Sequence, residues 1–161
     1  MAHSRHTLLK SRLALVRRDL NQIMTRITPE MLDWAPAAGM RTVAGQIIEI
    51  VGTEYQLIVL LKQGRLLSDP EAAERIGDPA SLANLRRAML DIRRESLEYL
   101  DSLSESDLEH EVAFNGGWFG SLTLSTIPRA EVFVNVSDHE WYHVGQLTSY
   151  LWFRGDDPYK W

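Results

Sequence analysis

A chain of 161 residues, 45% hydrophobic and 24% charged, is long enough for one core and too evenly mixed for a disordered tail, a collagen-like rod or a coiled coil; a single domain over residues 1–161 is expected. Its net charge of -5 argues against a nucleic-acid binder, which depends on clustered Lys and Arg, and the pairs Arg17-Arg18 and Arg86-Arg87 read as solvated helix faces. With no cysteine the chain has no disulfide, thiolate ligand or Cys nucleophile, so any thiol chemistry must use a thiol from outside.

In chain order, Leu9, Leu13, Val16, Leu20, Ile23 and Ile27 recur at steps of four and three, which predicts a first helix from about Thr7 to Ile27. Thr28-Pro29 opens a short turn that ends at Pro36 and the loop after it. A second helix is predicted from Thr42 to Gln63, stopped by Gly64. Most of its circumference is apolar, so it should be largely buried. The remaining stripe of Gly45, Gln46, Glu49, Gly52, Thr53 and Gln56 either faces water or walls a polar pocket.

The link over residues 65–78 is long for a tight hairpin and reads as a crossover. Asp78-Pro79 then caps a third helix with the stripe Leu82, Leu85, Met89, Ile92, Ser96, Tyr99 and Leu103. Ser104 to Asp107 fits a capping box, and residues 114–124 form a glycine-rich loop or small hairpin. The last helix is predicted from near Thr126, with Pro128 in its first turn, to Phe153 or Arg154 before Gly155. Four amphipathic helices without convincing strand pairs predict an all-α four-helix bundle. The longest apolar run, Leu57 to Leu61, is far below the roughly 20 residues that span a bilayer, and the N-terminus has no secretory apolar stretch. A soluble cytoplasmic protein is expected.

The seam of the last helix reads Val132, Val136, His139, His143, Leu147 and Leu151, so two histidines replace hydrophobes on the core face. His139-Glu140-Trp141-Tyr142-His143 matches the His-Glu-x-x-His pattern of zinc peptidases. No third histidine or glutamate follows it, and Glu140 is turned about 100° from His139, which favours an inter-helix or surface role over that of a general base. Two imidazoles one turn apart are satisfied together by one divalent ion if a third ligand arrives from another helix. Otherwise each needs a separate buried hydrogen-bond partner. His3, His6 and His110 lack partner spacing and read as incidental; Trp141, Tyr142 and Trp152 read as packing or pocket walls, and Trp118 as a residue near the site mouth.

His139, His143, Gly145, Gln146 and the stop at Gly155, with the segments from Ile27 to Pro36 and from Arg41 to Glu54 and the run Leu122 to Ile127, resemble the DinB-like, or YfiT-like, metalloprotein superfamily. The resemblance implies an up-down-down-up bundle with a long crossover between helices two and three. It also implies a metal held by one residue of helix two and two of the last helix. Histidine is usual at the helix-two position, which here falls on Glu49; Glu54 is the reserve, and a solvent-exposed Glu49 is the alternative. Two imidazoles and a carboxylate bind zinc or nickel, and also iron or manganese.

The resemblance further implies a thiol-dependent S-transferase or isomerase that activates a low-molecular-weight thiol such as bacillithiol or mycothiol. A metal-dependent hydrolase is the neighbouring reading, and a non-catalytic metal- or ligand-binding bundle the other. A small-molecule substrate, a homodimer and no nucleic-acid or membrane partner complete these expectations.

Overall fold

The computed structural model describes residues 3–113 and 124–161. Among them are six α-helices and one two-stranded sheet, so the chain is mostly helical. Helix α1, Arg5–Met24, starts on the Ser4 hydroxyl, which accepts from the Thr7 amide, and stops three residues before the predicted end. Ile27 is buried all the same, beyond the helix. Helix α2, Val43–Gln63, has the predicted ends: Thr42 Oγ1 accepts from the Gly45 amide, and Gly64 takes φ +71° as a left-handed stop.

The crossover carries a helix that periodicity did not reveal, α3, Asp69–Ile76. Its Ser68–Glu71 capping box was readable as Ser-x-x-Glu, but eight residues are too few for a stripe. Ala72 and Ile76 are buried against α2, where a Cβ at Gly52 would meet Ile76 Cδ1 at 3.6 Å. Helix α4, Leu82–Asp101, is capped by Ser81 and not by Asp78; Asp78 instead bonds the Ala80 amide in the turn before it. Helix α5, Glu105–Glu109, has the Ser104–Asp107 box.

The expectation of no strand pairing is corrected here. Strand β1, Glu111–Ala113, pairs antiparallel with β2, Thr126–Pro128, with Val112 opposite Ile127. The predicted glycine-rich loop and Trp118 fall within residues 114–123, outside the described residues. Because Thr126 and Ile127 are committed to the ladder, helix α6 begins later than predicted and spans Arg129–Phe153.

The core divides into two apolar clusters. One gathers the end of α1, the starts of α2 and α4 and the end of α6, with Val16, Ile47, Leu85 and Leu147 at its centre. The other gathers the start of α1, the ends of α2 and α4 and the start of α6 around Leu13, Leu57, Leu100 and Phe133. α6 packs against both α1 and α2, and α4 packs against α2 and, less closely, α1. Among the described residues α2 is the one helix long and apolar enough to cross a membrane, yet 72% of that window is buried inside the protein, as a central core helix requires.

Candidate metal centre

The site is built where α6 faces the first half of α2. His139 and His143 stand one turn apart on α6 with their Nε2 atoms 2.9 Å apart. His143 is 2% exposed and His139 half-buried. Glu49 comes from the polar stripe of α2, and one ligand atom from each of the three residues lies within 4.8 Å of the others. The carboxylate therefore does not face bulk water alone, and that stripe walls a polar site.

A relay fixes which nitrogen His143 presents. The Tyr150 hydroxyl donates to the Arg41 carbonyl at 2.9 Å, so its oxygen is free to accept from Gln46 Nε2 at 3.0 Å. Gln46 Oε1 then faces His143 Nδ1 at 2.5 Å and must accept from it. Nδ1 carries the proton, and in the neutral ring Nε2 keeps its lone pair, facing His139 Nε2. Gln46 and Tyr150 are both 3% exposed, which leaves this relay few alternatives to its own partners. Spacing marks neither residue for this role, although Gln46 lies on the polar stripe of α2 and Tyr150 on the helix that carries the histidines.

Electrostatics hold both rings neutral. Burial lowers the pKa of His139 to about 3, with His143 and Arg41 adding to the effect. His143 is lowered chiefly by burial and further by Arg41. The guanidinium of Arg41 pairs with Glu49 Oε1 at 2.8 Å and is half-exposed. Two neutral imidazoles and a carboxylate are a donor set that fits a divalent ion.

Glu54, the reserve ligand, lies elsewhere. It is 2% exposed and accepts from Arg93 Nε at 2.6 Å and from Arg17 at 2.9 Å. Glu140 completes a buried quartet: it accepts from Arg17 Nε at 2.7 Å and from Arg93. Each guanidinium also bonds a main-chain carbonyl, Arg17 to Met89 and Arg93 to Leu13, both at 2.8 Å. Burial pushes the Glu54 carboxyl up, but the Arg93 and Arg17 charges more than reverse this and leave it below the usual range. The solvated-face reading of Arg17 is thereby corrected, and Glu140 serves the inter-helix role. α1, α2, α4 and α6 each contribute one side chain.

Of the other aromatic residues, Trp141 and Trp152 are exposed, while Tyr142 lines a pocket of about 390 Å³ with Met40, Gln146, Tyr150 and Phe153. Tyr142 also meets the His143 ring edge-on at 5.1 Å. His6 bonds the Leu100 carbonyl, far along the chain from the pair on α6.

A family model described as the DinB superfamily matches residues 12–147. No curated protein matches the chain. Because the match spans most of the sequence, the chain belongs to the DinB superfamily.

Proposed function

We propose that this member of the DinB superfamily holds a divalent ion on Glu49, His139 and His143 and is a metal-dependent enzyme that brings an external thiol to a small electrophile. The observation that carries the reading is the meeting of two imidazoles and a carboxylate from two helices, with His143 Nε2 turned toward His139 by the Gln46–Tyr150 relay. When bound, such an ion lowers the pKa of a ligated thiol from about 8.5 and makes the nucleophile available at neutral pH. The chain's own part is positional: Gln46 orients one imidazole, burial keeps both uncharged, and Arg41 holds Glu49 at the rim.

The absence of cysteine from the sequence agrees with a thiol supplied by a second substrate. Glu49 in place of the usual histidine admits iron or manganese beside zinc and nickel. The two core clusters, which α2 and α4 traverse in one direction and α1 and α6 in the other, support the up-down-down-up course.

Metal analysis of protein purified without a nickel column tests the centre. About one equivalent is expected, and His143→Ala should carry none; metal retained by that variant would remove the triad. Incubating the loaded protein with electrophiles and a panel of small thiols then tests the transferase reading. Conjugation that requires both metal and thiol supports it, thiol-independent cleavage moves the assignment to a hydrolase, and no turnover leaves a binding bundle.

A further inference from the structure

The metal ligands do not account for Arg41. Residues 41, 45 and 49 are spaced by four, so they line one side of α2 and the turn that leads into it. The arginine stem lies beside Gly45: a Cβ there would be in ordinary van der Waals contact with it, 3.5 Å from Arg41 Cβ and 3.8 Å from Arg41 Cγ. The stem therefore runs over Gly45 and delivers the guanidinium to Glu49, 2.8 Å away. Its main chain is pinned as well, because the Arg41 carbonyl is the acceptor that ends the His143 relay. One residue thus anchors the orientation of a proposed ligand through its backbone and places a full positive charge beside the site through its side chain.

That charge is not spent. Glu49 is the one side chain that the guanidinium pairs with among the described residues, and the Arg41 side chain is 55% exposed. A guanidinium has five N–H donors, and the contact with Glu49 engages one nitrogen, Nη2, which leaves donors for a second acceptor. Once an ion shares the Glu49 carboxylate, the ion, the carboxylate and the two neutral rings sum to about +1, and Arg41 adds another positive charge. Such a site selects an anion, and a planar fork beside it selects an oxyanion in particular.

Resting on the metal reading above, we infer that Arg41 is a ligand-binding residue that holds a carboxylate on the incoming thiol, so that the site prefers thiols carrying a carboxylate a few bonds from sulfur over neutral thiols.

The test uses the full chain saturated with Co²⁺, with loading followed by the cobalt d–d absorption. It is titrated with 3-mercaptopropionate and with the matching amide, 3-mercaptopropanamide, while the thiolate-to-cobalt charge-transfer band is recorded. We expect the native protein to bind the acid about tenfold more tightly than the amide, the scale of one charge-assisted hydrogen bond, with the preference shrinking as salt is added. In Arg41→Gln the ratio should fall to about one, and Arg41→Lys should lie between. An equal ratio in native protein and Arg41→Gln overturns the inference, because the acid's advantage would then come from chelation alone. Failure of the native chain to take up cobalt would overturn the metal reading itself, and a normal d–d band with no charge-transfer band from either thiol would overturn thiol binding. The d–d band of each variant reports whether its site is intact.

Discussion

At the scale of single residues, the lever on the site is a glutamine that touches no metal. Gln46 Oε1 accepts the Nδ1 proton of His143, and without it the ring can rotate or present the wrong tautomer. Gln46→Leu is therefore expected to weaken metal binding about 10–100-fold, the usual range for a lost partner behind a ligating histidine, as measured by competition with a chromophoric chelator. Unchanged affinity would mean that the relay does not orient the ring. The same burial makes the metal-free protein sensitive to acid. His139 ordinarily titrates near 6.5 but in the folded chain only at about 3. Between those values the unfolded chain holds the proton and the folded chain does not, so the contribution is complete above about pH 6.5 and is lost as pH falls toward 3. Urea midpoints should drop through that window, and the drop should be shallower in His139→Gln. Equal slopes for the two proteins would contradict a neutral buried His139.

At the scale of elements, the four long helices are tied by two arginines and two glutamates at the middle of the core. Removing one member leaves an uncompensated buried charge, whereas the intact quartet is neutral and has hydrogen bonds to main-chain carbonyls as well. Arg93→Leu is expected to cost about 3–5 kcal/mol in urea unfolding, and Arg93→Leu with Glu140→Leu should cost less than the two singles added. Strict additivity would show that the pair does not interact. A second element-level feature runs the other way. Gly145 lies inside α6, and a Cβ built on it meets nothing within 4 Å among the described residues. Gly145→Ala should therefore stabilise the helix by about 1 kcal/mol, read as a raised melting temperature. Destabilisation instead would mean that the space beside α6 is filled when the chain is folded in solution.

At the scale of the whole molecule, what could be read from the sequence divides by distance along the chain. The long helices and most of their caps follow from local spacing, as does the stacking of His139 on His143. Only family register points to Glu49 as the proposed third ligand, because a glutamate on a polar stripe is ordinarily exposed. The relay and the quartet join residues 97, 104 and 123 positions apart, and no periodicity connects such partners. Arg17 therefore reads in the sequence as half of a surface pair. Its place four residues after Leu13 and one after Val16, both buried, was the available signal.

The candidate centre joins two of the long helices, since Glu49 belongs to α2 and both histidines to α6. An ion bound there would cross-link two helices that unfold together with the core, and binding to the folded chain alone shifts the unfolding equilibrium. At a free metal concentration 100 times the Kd the gain is about 2.7 kcal/mol. In a domain of this size that corresponds to roughly 5–10 °C in Tm. Calorimetry with zinc, nickel, iron(II) and manganese in turn should show such a shift for the ions that fit, abolished in His143→Ala and reduced in Glu49→Ala. If Glu49→Ala keeps the full shift while His143→Ala loses it, the histidines bind without α2, and the cross-link between helices is disproved even though a metal is present.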